Sequence, residues 1–190
     1  LVTGAAAMLE GGARILQFRH KSNYSREICR QVMEIAELCR SCGAVFIIND
    51  RADIALMAHA GLHVGQDDLA AADARRLLGP AVPIGLSTHN PAQLSQALAE
   101  PVDYLAIGPV FATRSKQNPD PVVGLEGVRA AAALATRPLV AIGGITQENA
   151  RAVLAAGAHS LAVIRAILPE HLSHHAVRER MEEWQKLVKN

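Results

Sequence analysis

Seven short apolar runs recur along the chain, at residues 15–18, 45–48, 61–64, 83–86, 104–107, 139–142 and 161–164, and a segment of helical spacing follows each of them. This alternation constrains the fold more than any other feature. Four-residue apolar runs suit strands covered on both faces, as parallel strands are when helices pack over them. The intervening segments carry helix punctuation. Ser25 precedes Ile28, Val32, Ile35, Ala36 and Cys39, which share one helical face, and Gly43 ends that pattern. Asn90-Pro91 reads as an N-cap with proline at the first helical position. Thr146 and Gly157 bracket a further helix.

Repeated β-then-α units in one short domain require a parallel sheet, either closed or doubly wound. The doubly wound form calls for a glycine-rich turn after its first strand, and the sequence has none there. The expectation is an α/β chain folded as a (β/α)8 TIM barrel, with residues 1–190 forming a single domain. The length falls slightly below the usual minimum of ~200 residues. A shortened first βα unit accounts for that, with Leu1-Val2-Thr3 and residues 5–10 as its remains. The chain begins with Leu1 rather than Met, as expected of a processed or excised sequence.

Composition removes several functional classes. Aromatic residues are only 3% of a chain that is half apolar, so the core is aliphatic. A net charge of +1 gives no overall field for nucleic acid or an anionic membrane. No apolar run approaches the ~20 residues of a membrane span, and no signal-peptide pattern is evident. Three cysteines argue against a disulfide framework and for a reducing, cytoplasmic setting. Cys39-Arg40-Ser41-Cys42 has redox spacing but closes a helix instead of opening one, so it reads as small residues at a helix end. His171, His174 and His175 cluster on a polar final helix; His171 and His175 are four apart, a spacing that can bind metal, but no third ligand for that pair is apparent and the cluster reads as a solvated face. Trp184 and Leu187 are expected to pack that helix back onto the barrel.

Chemistry in such a barrel lies just past the C-terminal ends of the strands. In this chain every one of those ends is polar. They carry Gln17, Arg19 and Lys21, then Asn49 and Asp50, then Gln66, Asp67 and Asp68, then Ser87, Thr88 and His89. They continue with Thr113, Arg114, Ser115 and Lys116, then Gly143-Gly144, then Arg165. Arg19, Lys21, Arg114, Lys116 and Arg165 gather positive charge at one rim of a near-neutral chain. Asp50 and Asp68 are set among them. Cations with a few carboxylates suit a magnesium-bridged polyphosphate, since Mg2+ takes one or two protein carboxylates and completes its shell with substrate oxygens and water. The glycine pair lets backbone N–H groups approach an anion closely. The segment 108–121 is long for a compact domain, and such loops are usually functional.

The motifs at these positions resemble those of thiamin phosphate synthase, within the thiamin phosphate synthase and thiazole tautomerase superfamily. The resemblance runs from Gln17 to about Leu168. Gln17-Phe18-Arg19-His20-Lys21 is similar to the family's Q-x-R-x-K, and Ile47-Ile48-Asn49-Asp50 to its I-N-D. His63-Val64-Gly65-Gln66-Asp67-Asp68 is similar to H-x-G-Q-x-D, residues 108–116 to G-P-x-F-x-T-x-[TS]-K, and Ala141-Ile142-Gly143-Gly144-Ile145 to A-I-G-G-I. The resemblance implies a transferase of thiamin biosynthesis. Hydroxymethylpyrimidine diphosphate would lose pyrophosphate, and a thiazole phosphate nitrogen would capture the pyrimidine methylene carbon in a Mg2+-assisted dissociative substitution.

It also implies roles. Gln17, Phe18, Arg19, His20, Lys21, Asn49, Ser87 and Lys116 would line the pyrimidine diphosphate site, with Lys116, Arg19 and Ser87 closest to the chemistry. Thr113, Arg114, Ser115, Gly144, Ile164 and Arg165 would line the thiazole phosphate site, and Asp50 and Asp68 would bind the metal. Two positions depart from the common pattern. His20 stands where many members have Glu, and Arg165 where many have Ser. Two other readings stay open: a thiazole tautomerase on the same barrel, using His89, and a non-catalytic protein that binds phosphate-ester thiamin precursors. Both carboxylates favour the synthase. Homo-oligomerisation and fusion to another enzyme are also left open.

Overall fold

Each of the seven apolar runs forms a strand, because aliphatic side chains on both faces of a short extended segment are best satisfied beneath helices. The computed structural model describes residues 1–113, 120–168 and 173–189. The chain opens with α1 (Val2–Glu10) and continues through β1 (Ile15–Phe18), α2 (Arg26–Ser41), β2 (Val45–Asn49), α3 (Ala52–Ala58), β3 (Gly61–Val64) and α4 (Ala71–Leu78). It then forms β4 (Ile84–Thr88), α5 (Pro91–Ala97), β5 (Tyr104–Ile107), α6 (Gly124–Leu134), β6 (Leu139–Ile142), α7 (Gln147–Ala155), β7 (Ser160–Ala162) and α8 (His174–Lys189). The strand order in the sheet follows the chain order, β1 to β7. This is an α/β fold with seven parallel strands. No helix among the described residues is long and apolar enough to cross a membrane.

The chain divides into two compact units. The first comprises Leu1–His63, Asp73–Pro83 and Ile167–Asn190, and the second Val64–Ala72 and Ile84–Ala166. In the first, β1 pairs with β2 and β2 with β3, both parallel, with Ile15 beside Val45 and Ile47 beside Gly61. Its core holds Leu16, Phe18, Phe46, Ile48 and Leu62 from the strands, and Val32, Ile35, Ala36 and Cys39 from α2. The Ser25 hydroxyl accepts from the Ile28 backbone N–H at 3.3 Å, the cap expected at the start of α2. Trp184 of α8 is buried. In the second unit β4 to β7 pair in sequence, all parallel. Its core is Ile84, Leu94, Leu105, Val128, Leu139 and Val153. Asn90 caps α5 by accepting from the Gln93 N–H at 2.9 Å.

Two expectations change. Leu1-Val2-Thr3 is not the remnant of a strand, because Val2 and Thr3 form the first turn of α1. The run of Ala5, Ala6, Ala7, Met8 and Leu9 has strong helix propensity, and the helix extends back through the two β-branched residues. The described residues therefore contain seven strands, with a helix ahead of the first. The last strand is also shorter than residues 161–164. It ends at Ala162, and Ile164 is 46% exposed.

Candidate active site

Burial along β1 alternates, with Gln17 exposed and Phe18 buried, and Arg19 just past the strand is exposed. Lys21 is exposed as well. Phe18 and His20 sit differently from those three. The His20 ring lies 6.1 Å from the Phe18 ring and edge-on to Tyr24 at 5.1 Å, and a ring nitrogen is 3.3 Å from the Asn23 carbonyl oxygen. The departure from Glu at position 20 thus falls on a residue packed into an aromatic cluster.

At the end of β2, Asn49 is buried. Asp50 has φ of +64°, a left-handed conformation that Asp tolerates better than most side chains. Its backbone N–H donates to the His63 carbonyl oxygen at 2.8 Å, holding the turn against β3. The Lys21 ammonium donates to the Asp50 carboxylate. A cation from the β1 end and a carboxylate from the β2 end are thus brought together.

Tyr24 and Arg51 were not anticipated. The Arg51 guanidinium lies 4.8 Å from the centre of the Tyr24 ring, within cation–π range, and its Nε donates to Asp53 at 2.8 Å. Burial raises the Tyr24 phenol pKa, and the nearby Arg51 charge opposes that shift. The Arg51 hydrogen bond holds the Asp53 carboxyl below its ordinary value. No sequence motif marks this pair, since Tyr24 lies in the segment between β1 and α2 and Arg51 follows β2.

In the second unit, the Gly65 backbone N–H donates to Asp68 Oδ2 at 2.7 Å, fixing an exposed carboxylate at the turn after β3. The Gln66 amide donates to the Ser87 carbonyl oxygen at 2.6 Å, joining that turn to the end of β4. Thr88 is fully buried and its hydroxyl donates to the Ala106 carbonyl oxygen at 2.8 Å. Gly143 and Gly144 both have positive φ, +99° and +63°. A Cβ on Gly144 would stand 2.7 Å from the Ala112 carbonyl oxygen, so only glycine admits the segment leading to Thr113 this closely. The Gly144 carbonyl oxygen accepts from the Asn149 amide at 3.1 Å. Ile164 and Arg165 are exposed after β7. Arg114, Ser115 and Lys116 lie outside the described residues, as does His171.

Among the described residues no group of three or more His, Cys, Asp or Glu side chains could hold a metal ion. Asp50 in the first unit and Asp68 in the second supply hard carboxylate oxygens, the donor type that magnesium takes one or two at a time. The redox-spaced cysteines behave as small helix-end residues. Burial pushes the Cys39 thiol up to about 11, and Cys42 is exposed. On α8, His174 Nε2 lies 3.3 Å from Glu10, and His175 Nε2 lies 3.1 Å from Glu179.

Parallel strands in chain order, with polar side chains at their C-terminal ends, are the arrangement of an α/β enzyme. Residues 1–167 match the family model described as thiamine monophosphate synthase. The thiamine-phosphate synthase of Koribacter versatilis is 51% identical over 165 residues, covering 86% of this chain and 78% of that protein. That of Chlorobium phaeovibrioides is 47% identical over 187 residues, covering 96% and 89%. The solved thiamine phosphate pyrophosphorylase from Pyrococcus furiosus superposes with a TM-score of 0.88 at 35% identity, covering 99% of this chain and 89% of its own. This chain belongs to the thiamine monophosphate synthase family, and its activity is thiamin phosphate synthesis. The synthase expectation from the motifs therefore stands over the tautomerase and the non-catalytic binder.

Proposed function

We propose that the chain couples hydroxymethylpyrimidine diphosphate with thiazole phosphate, releasing pyrophosphate, by a Mg2+-assisted dissociative substitution. The observation that carries this reading is the meeting of Lys21 with Asp50, which combines a diphosphate-binding cation and a metal-binding carboxylate at one corner. Gln17, Arg19, Lys21, Asn49 and Ser87 hold the pyrimidine diphosphate, beside Phe18 and His20. Asp50 and Asp68 are the carboxylates assigned to magnesium. When bound, the ion supplies positive charge to the diphosphate oxygens.

The pyrimidine methylene C–O bond breaks with its electron pair going to pyrophosphate, leaving a pyrimidine carbocation. Charge gathers on the leaving group, so Arg19, Lys21 and Lys116 stabilise the transition state more than the ground state. Thr113, Arg114, Ser115, Gly144, Ile164 and Arg165 orient the thiazole phosphate so that its ring nitrogen lone pair forms the new C–N bond. That nitrogen carries no proton, so no general base is required.

The finer architecture belongs to the same proposal. An eight-stranded closed barrel in one catalytic domain is supported by α1, which precedes β1 as the helix of a preceding unit would. A cytoplasmic setting agrees with the cysteine usage. Native mass in solution reads whether the chain forms a homo-oligomer, and the length of the gene product reads any fusion.

The test is an assay of both precursors with magnesium. Thiamin phosphate and pyrophosphate in equal amounts are expected. Tautomerisation of a thiazole phosphate without coupling, or binding without turnover, would overturn the mechanism proposed.

A further inference from the structure

His89 follows β4 and is half-buried. Its Nδ1 lies 2.5 Å from the Gly108 carbonyl oxygen, and its Nε2 lies 3.6 Å from Asp120 Oδ2. A carbonyl only accepts, so Nδ1 carries a proton and donates it. Gly108 follows β5 and Asp120 precedes α6, so one imidazole touches the outgoing and the returning limb of the same connection. The backbone of the residue is anchored, since the His89 backbone N–H donates to Gln93 Oε1 of α5 at 2.8 Å.

Backbone bonds extend this arrangement toward the glycine pair. Val110 N–H donates to the Ile142 carbonyl oxygen at 2.9 Å and Phe111 N–H to that of Gly143 at 3.0 Å. On the returning limb, Val123 N–H donates to the Pro109 carbonyl oxygen at 2.9 Å and Gly124 N–H to that of Val110 at 3.1 Å. The outgoing limb thus runs from the His89 contact directly to the place where Ala112 meets Gly144.

We propose that His89 is a positioning residue for thiazole phosphate. It clasps Gly108 and Asp120 so that Thr113 is presented beside Gly144. The inference rests on the reading of Thr113 and Gly144 as thiazole phosphate residues. With Nδ1 donating to Gly108, Nε2 meets Asp120 at 3.6 Å as an ion-pair contact of the protonated ring rather than a hydrogen bond, so the part of His89 is to hold these two limbs together. Displacing a binding group by about 1 Å is enough to cost a large factor in rate.

Steady-state pyrophosphate release, with each substrate varied in turn, tests the clasp in His89→Ala, His89→Asn, Asp120→Asn, the His89→Ala/Asp120→Asn double variant and Thr113→Ala. His89→Ala is expected to raise KM for thiazole phosphate about tenfold and to leave KM for the pyrimidine diphosphate within about twofold. His89→Asn retains a donor for Gly108 and should recover part of the loss. The double variant should be no worse than His89→Ala alone, because the two residues act through one link. Hydrogen exchange at the amides of Val110, Phe111 and Val123 should quicken in His89→Ala. Equal KM rises for both substrates, additive losses, or unchanged exchange would each overturn the clasp. If His89→Ala does not fold, Asp120→Asn carries the same comparison with a smaller effect. An impaired Thr113→Ala beside an unimpaired His89→Ala defeats the clasp alone. A Thr113→Ala enzyme with unchanged KM for thiazole phosphate defeats the underlying site reading, and the clasp falls with it.

Discussion

Lys21 and Asp50 are joined by an ion pair between the ends of β1 and β2, with the ammonium half exposed and the carboxylate more enclosed. An ion pair this open contributes at most about 1 kcal/mol to stability. Its consequence lies in charge placement, because each partner holds the other at the strand-end corner where a diphosphate and its metal ion are proposed to bind.

Asp50→Asn separates the charge from the backbone requirement. Asn tolerates the left-handed conformation that position 50 adopts, so the thermal midpoint should stay close to that of the wild type. Turnover should fall about 100-fold or more through the loss of charge. Pyrophosphate release together with a melting curve checks both halves. Wild-type turnover would remove Asp50 from the metal site.

Asp68→Ala should also lower turnover severely without unfolding the chain. The side chain is exposed, and among the described residues its deletion frees the Gly65 N–H, at a cost of roughly 1 kcal/mol. A magnesium titration is the discriminating measurement. The variant should need far more magnesium for half-maximal rate, and an unchanged magnesium dependence would sink the assignment.

Gly144→Ala combines two penalties, a side chain at φ +63° and a Cβ pressed toward the Ala112 carbonyl oxygen. The backbone part alone should cost about 1–2 kcal/mol. Urea midpoints should drop accordingly, and KM for thiazole phosphate should rise as the segment leading to Thr113 is pushed away. A fully stable variant with unchanged KM would contradict the close approach.

Cys39 gives a pH dependence. An unperturbed thiol titrates near ~8.5, whereas burial pushes Cys39 in the native state up to about 11. Between those values the unfolded chain releases the proton and the folded chain keeps it, so stability falls as pH rises through that window. Urea denaturation at pH 8 and pH 10.5 should show a smaller decline in Cys39→Ala than in the wild type. Equal declines would mean that the buried thiol is not responsible.

The strands were legible because each is a short aliphatic run between helix signals, and aliphatic runs of that length have few other uses in a chain poor in aromatics. Gln17, Arg19 and Lys21 were legible as alternate polar positions at the end of a strand, and all three are exposed. Leu1-Val2-Thr3 misled because β-branched residues carry strand preference, while the alanines that decide the matter come after them. The Tyr24–Arg51 contact and the His89 link from Gly108 to Asp120 were not legible. Each joins residues on different connections, and no local spacing encodes a meeting that tertiary packing creates. Arg114, Ser115 and Lys116, named from the family motif, lie outside the described residues.

Helix α1 packs against α8, with Gly11 close to Met181 and to the Arg178 carbonyl oxygen, and with Glu10 beside His174. On the ribosome these two helices emerge at very different times. Until α8 is made, the face of α1 that will receive it has no partner, however well the intervening strands have begun to pair. The first unit cannot complete its packing during most of its own synthesis, and the nascent chain presents that uncovered face to chaperones or to other chains for the whole interval.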